Sequence, residues 1–319
     1  MSLGKKGAMQ HPRMKVLLSI VSIASLLILS ACESQGDVAI PEDGPIRVTA
    51  TTGMVADIVK NVGGDRVQVT ALMGPGIDPH LYKASQGDIG RLNEAHMIFY
   101  SGIHLEGKMT EILSKLSEEK PVIPVADSIE KEKLMKTGDN QYDPHVWFDV
   151  QLWIEAVKSV DRELAQADPR HQDDYHQRAQ KYTAQLEDLD QYVREQIKSI
   201  PKERRVMVTA HDAFGYFGRA YDIEVVGLQG ISTASEYGLK DVRRIVNLLV
   251  DREIKAVFVE SSVPKRSIQA VVEGTKKKGH TIEIGGELFS DAMGKEGTKK
   301  GTYIGMVRHN VDTIVSALK

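Results

Sequence analysis

The sequence predicts an α/β protein of two similar lobes, each a mostly parallel sheet covered by helices, joined by one long connecting helix. Three observations predict this. Short β-branched strands alternate with amphipathic helices, the pattern of a parallel sheet covered on both faces. The alternation starts afresh in the second half of the chain. Between the halves runs a single apolar stripe on a helical stretch of about thirty residues. At 319 residues, 41% of them hydrophobic and 27% charged, the chain has room for two ordinary cores.

In the first half, Ile46–Ala50 reads as a strand, followed by a helix through Val55–Val62 and an alternating strand at Val67–Leu72. The runs His96–Tyr100 and Val122–Val125 are further strands, separated by a helical stretch, Leu105–Leu116. The second half repeats the rhythm with strand Arg205–Thr209, helix Ala213–Ala220 and strand Ile223–Leu228. Helix Glu236–Arg252, strand Ala256–Glu260, helix Ser267–Lys278, strand Thr281–Ile284 and terminal helix Thr302–Leu318 complete it.

The connecting stripe is Tyr175, Ala179, Tyr182, Leu186, Leu189, Val193 and Ile197, stepping by three and four residues. Asp168-Pro169 bounds it at the start and Pro201 at the end. A helix of that length spans about 45 Å, the length of a lobe. The stripe covers only about three heptads, which favours one rigid connecting helix over a coiled-coil dimer. The chain therefore divides into residues 1–32, a tether 33–45, an N-terminal lobe 46–168, the connecting helix 169–200 and a C-terminal lobe 201–319.

The first 32 residues have a different character. Lys5, Lys6, Arg13 and Lys15 precede an uncharged apolar run, Val16–Leu29, that ends in Leu29-Ser30-Ala31-Cys32. A basic start, a short apolar core and small residues before a cut site make a secretory signal. The run is too short for a membrane-spanning helix of about 20 residues. Cys32 is the only cysteine, so neither a disulfide within the chain nor a thiolate-rich metal site is available. Its position resembles a bacterial lipobox, in which cleavage leaves the cysteine first and lipidated. Residues 33–45, with Ser, Gly, Asp and Pro, read as the flexible tether from that anchor. An extracytoplasmic protein, lipid-anchored to a bacterial membrane, is expected. The formal net charge is -3 without a basic concentration, which excludes nucleic acid as a partner.

Three of the ten histidines stand in loops where a strand delivers the chain towards a helix. They are His80 in Ile77-Asp78-Pro79-His80, His145 in Tyr142-Asp143-Pro144-His145, and His211 in Thr209-Ala210-His211-Asp212. In open α/β sheets, ligands bind outside the carboxyl ends of the strands. The repeated Asp-Pro-His presents each ring from a stiff backbone, because proline fixes φ. Each aspartate is placed to cap the next helix or to accept from a ring N–H and set the tautomer. His104 follows a strand end and reads as a supporting group; the remaining histidines read as surface or core residues. Three neutral imidazoles leave a divalent charge uncompensated, so a carboxylate at the last strand's exit is wanted. Glu287 and Asp291 both qualify, and spacing does not choose between them.

Five motifs carry a family resemblance. They are Asp-Pro-His-Leu-Tyr-Lys-Ala-Ser (78–85), Asp-Pro-His-Val-Trp-Phe-Asp (143–149), Thr-Ala-His-Asp-Ala-Phe-Gly-Tyr-Phe (209–217), Gly-Leu-Gln-Gly-Ile-Ser-Thr-Ala-Ser-Glu (227–236) and Gly-Gly-Glu-Leu-Phe-Ser-Asp-Ala-Met-Gly (285–294). From about Ile46 onwards the chain resembles the metal-binding cluster (A-I, TroA-like) of ABC-transporter solute-binding proteins, of zinc/manganese type. The resemblance implies His80, His145, His211 and Asp291 as ligands of a transported Zn(II) or Mn(II) ion. It also implies two lobes on one long helix with the metal between them, no enzymatic activity, a monomer, and an ABC permease with its ATPase as partners. Manganese-selective relatives commonly carry glutamate at the third ligand, whereas this chain has His211. Dedicated zinc relatives often carry a histidine-rich loop before the second ligand, and residues 127–141 contain no histidine. The sequence falls between the two types.

Two rival functions fit the sequence less well. A zinc hydrolase needs an open coordination position and a general base, yet no His-Glu-x-x-His segment is present. A siderophore or haem binder of similar architecture would want aromatic or arginine walls in its cleft.

Overall fold

The computed structural model describes residues 40–138 and 141–319, together with residues 1, 2 and 4. The signal segment and Cys32 lie outside the described residues. The described residues from Ile40 onwards lie in one compact unit.

The N-terminal sheet has the order β2-β1-β3-β4, built from β1 (Ile46–Ala50), β2 (Val67–Ala71), β3 (Met97–Tyr100) and β4 (Val122–Pro124). All three pairings are parallel, as the crossover helices α1 (Gly53–Gly63), α2 (Gln86–Glu94) and α3 (Thr110–Leu116) require. The caps follow local chemistry. Thr52 accepts from the Val55 amide to start α1, and Ser85 with Asp88 forms a capping box on α2. A short antiparallel hairpin, β5 (Lys136–Gly138) and β6 (Gln141–Tyr142), precedes the second Asp-Pro-His turn.

Helix α4 (Val150–Ala167) leads into the connecting helix α5 (Gln172–Lys198). The expected stripe is buried throughout: Tyr175, Ala179, Tyr182, Leu186, Leu189, Val193 and Ile197 all face the core. The helix is shorter than the expected 169–200 because Pro169–His171 form a 3₁₀ turn against Asp168. It is bonded to both lobes. Tyr182 donates to Asp57 of α1 at 2.6 Å, while Tyr221 of the C-terminal lobe donates to Asp190 at 2.8 Å.

The C-terminal lobe contains β7 (Val206–His211), α6 (Gly215–Tyr221), β8 (Glu224–Gln229), α7 (Leu239–Asp251), β9 (Ala256–Glu260), α8 (Arg266–Lys277), β10 (Glu283–Leu288) and α9 (Tyr303–Leu318). β7 pairs with β8 and β9 with β10, both in parallel, and β7 lies beside β9. The last strand extends beyond the expected Ile284. Its register shifts between Ile284 and Gly286, where an added Cβ at Gly285 would come within 2.6 Å of Ala317 on α9. Only glycine lets that helix approach so closely, and the irregularity hid the strand's continuation.

Candidate metal centre

Each candidate side chain is delivered by a sheet edge or a constrained turn. His80 sits in the connection between β2 and α2, where its amide donates to Asp78 Oδ1 at 2.9 Å. His145 is held in the same way by Asp143 Oδ1 at 2.9 Å. The two Asp-Pro-His turns therefore share one device: each aspartate accepts the amide two residues on and fixes the turn. The second turn adds another bond, since His145 Nδ1 donates to Asp143 Oδ1 at 2.7 Å and leaves Nε2 facing inwards. Asp78 makes no such ring contact; its other oxygen accepts from Thr233 of the opposite lobe at 2.6 Å.

His211 ends β7, and its ring and amide both donate to Glu260 at the end of β9, at 2.5 and 2.9 Å. Asp291 follows β10 in a loop held by Trp147, whose indole N–H donates to the Ser290 carbonyl at 3.1 Å. The four side chains are buried, with His145 and His211 at 0% exposure, Asp291 at 2% and His80 at 5%.

One donor atom from each of the four lies within 4.8 Å of all the others. His80 Nε2 and His145 Nε2 are 3.2 Å apart, and Asp291 Oδ1 is 3.4 Å from His145 Nε2. Asp291 Oδ2 is 3.2 Å from His211 Nε2 and 3.7 Å from His80 Nε2. A tetrahedral ion with bonds of about 2.0–2.2 Å separates its donors by about 3.3–3.6 Å. The observed spacing fits that shell. His211 Nε2 and both Asp291 oxygens are buried without hydrogen-bond partners among the described residues, although they lie within contact distance. Buried polar atoms this close, without hydrogen-bond geometry between them, are suited to share a cation.

The electrostatics agree. Burial pushes the His80 imidazole down to about 4, so it is a neutral donor at pH 7. Burial also opposes charge on His145, but Asp143 and Asp291 outweigh it and hold the ring up to about 9. His211 is likewise raised well above the usual imidazole range, with Glu260 and Asp291 overcoming burial. Asp291 stays well below the carboxylate range despite its burial, because His211 and His145 surround it. In the metal-free protein these charges hold the centre together; a divalent cation replaces the protons.

All three sequence-selected histidines converge. Of the two candidate carboxylates, Asp291 joins them, whereas Glu287 points outwards to Lys265 Nζ at 2.7 Å. His104 does not support the centre; it is exposed on a left-handed turn with φ of 63°. Glu260 is the supporting group the sequence reading missed. Its signal was present: a carboxylate ending the buried strand Ala256–Glu260 requires a partner.

Two helix-linked α/β lobes that converge four buried protein donors on one point define a two-lobed binding protein for a divalent cation. The profile of the family described as "ZnuA: Zinc-uptake complex component A periplasmic" matches residues 48–317, and the chain belongs to that family. The manganese-binding lipoprotein MntA of Bacillus subtilis (strain 168) is 55% identical over 278 residues, 87% of this chain and 91% of that protein. The zinc-binding protein TroA of Treponema pallidum (strain Nichols) is 49% identical over 276 residues, 86% of this chain and 90% of that one. The solved structure of the periplasmic zinc-binding protein TroA from Treponema pallidum superposes with a TM-score of 0.85, covering 86% of this chain and 99% of its own.

Proposed function

We propose that this protein is the extracytoplasmic solute-binding component of an ABC-type importer, capturing one Zn(II) or Mn(II) ion as cargo. His80, His145, His211 and Asp291 are the ligands. The convergence of these four buried donors, with three of their atoms lacking a hydrogen-bond partner among the described residues, carries the reading. The relatives named for manganese and for zinc support the same cargo class. Lipidated Cys32 anchors the chain to the membrane, and residues 33–45 tether lobes 46–168 and 201–319, which are joined through 169–200. The protein acts as a monomer and hands its ion to a membrane permease driven by a cytoplasmic ATPase.

No catalysis is assigned to the centre. Four protein donors fill a tetrahedral shell, and two nearby carboxylates, Asp143 and Glu260, are engaged by ring N–H groups. The two oxygens of Asp291 face different histidines, so bidentate binding is available to a larger ion such as Mn(II). The nitrogen-rich donor set favours zinc by intrinsic affinity.

Elemental analysis of the purified protein, loaded with zinc and manganese in turn, tests the reading. One equivalent of either ion is expected, with zinc retained when both are offered. His211→Ala removes one of four bonds and greatly weakens retention. Preparations that hold no metal, or only iron, would overturn the assignment.

A further inference from the structure

The motif at 227–236 supplies none of the four donors, yet it ends on the one hydrogen bond, among the described residues, that joins the His80 loop to the opposite lobe. Thr233 Oγ1 donates to Asp78 Oδ2 at 2.6 Å, and Asp78 Oδ1 holds the His80 amide at 2.9 Å. Thr233 is itself held by its own loop. The Gln229 side-chain amide donates to the carbonyl of Thr233 at 2.7 Å and to that of Ser235.

The four donors differ in how firmly they are fixed. His211 ends a fully buried strand and Glu260 grips its ring. His145 is braced through Asp143, whose carbonyl accepts from Tyr216 at 2.8 Å. Asp291 follows Ser290, which is tied to Trp147 and Ser262. His80 stands on a long connection, residues 72–85, that contains neither helix nor strand, and it is the most exposed of the four at 5%. That connection also faces the opposite lobe at Gly76, where an added Cβ would lie 3.3 Å from the Ser261 carbonyl.

We infer that Thr233 is a positioning residue that latches the first Asp-Pro-His turn from across the cleft, so that bound metal leaves when the His80 turn is released. The inference rests on the metal-capture reading. Thr233 touches no metal; it acts through Asp78 on His80. Its loss therefore raises the rate of metal release without unfolding the protein, because Thr233 is only half-buried in a loop.

The test is stopped-flow release of Zn(II) from the loaded full chain into excess chelator, for wild type, Thr233→Val and Thr233→Ser. Thr233→Val is expected to release zinc about 10-fold faster, the scale of one hydrogen bond to a charged acceptor. Thr233→Ser restores the slow rate, and all three keep a cooperative metal-free melting transition. Equal release rates for wild type and Thr233→Val, or a serine variant as fast as the valine one, would overturn the latch while leaving zinc capture intact. A wild-type chain that takes up no zinc at all would instead remove the functional reading, and the latch with it.

Discussion

The ring of His211 donates from Nδ1 to Glu260 Oε2 at 2.5 Å, and both side chains are fully buried at the ends of neighbouring strands. The bond fixes the tautomer, turns Nε2 towards the centre and makes the imidazole a stronger donor. Glu260→Gln keeps the shape and removes the charge. It is expected to lower zinc affinity by about 10–100-fold, measured by competition with a chromophoric chelator. Unchanged affinity would show that the strand ends alone orient His211.

Metal binding is expected to release protons. With His145 held up to about 9 and His211 raised well above the usual range, both rings carry protons at pH 7 in the metal-free protein, whereas a metal needs them neutral. Affinity therefore rises with pH until about 9 is passed. Calorimetry in buffers of different ionisation enthalpy reads the proton count directly, and a buffer-independent heat would contradict it.

The same shift sets the sign of the pH dependence of stability. The raised His145 pKa stabilises the metal-free fold fully below about 6.5, and that contribution is lost as pH climbs through about 9. Metal-free protein should melt at progressively lower temperature across this window. Zinc-loaded protein, whose rings are already deprotonated, should not follow that decline.

A rigid connecting helix limits how far the lobes can part. Tyr182 of α5 reaches Asp57 in the first lobe, while Asp190 and Arg194 of the same helix hold Tyr221 and the Ala220 carbonyl in the second. Loss of metal is expected to cause local loop rearrangement or a small tilt. Small-angle scattering of metal-free and loaded protein should superpose closely; a change on the scale of a full lobe opening would refute this.

The Tyr182 bond is itself a stability element. Asp57 is buried and its carboxyl is pushed up by burial, against which the Tyr182 hydroxyl is its strongest stabilising contact. Tyr182→Phe strips that donor, and a loss of about 1–3 kcal/mol is expected by chemical denaturation.

Much of this was legible in the residues. His80, His145 and His211 stood out because strand, turn and helix signals bracket each one, and Asp-Pro marks a stiff turn. The stripe from Tyr175 to Ile197 gave the connecting helix directly. Asp291 and Glu287 could not be separated by spacing, since a bulge at Gly285–Gly286 and the turn after Leu288 decide which carboxylate faces inwards. Helix α4 carries a stripe of the same kind (Val150, Trp153, Val157, Val160, Leu164). Glu260 signals only that a buried strand-end carboxylate needs a partner, and Thr233 gives no signal at all, because the partners of both lie far away in the chain.

The most direct measurement is X-ray absorption at the zinc edge of stoichiometrically loaded protein, wild type beside Asp291→Ala. The account predicts one zinc with three imidazole nitrogens and one carboxylate oxygen at about 2.0–2.2 Å, and loss of the carboxylate contribution in the variant. A shell dominated by water, fewer than three imidazoles, or an identical spectrum for Asp291→Ala would contradict it.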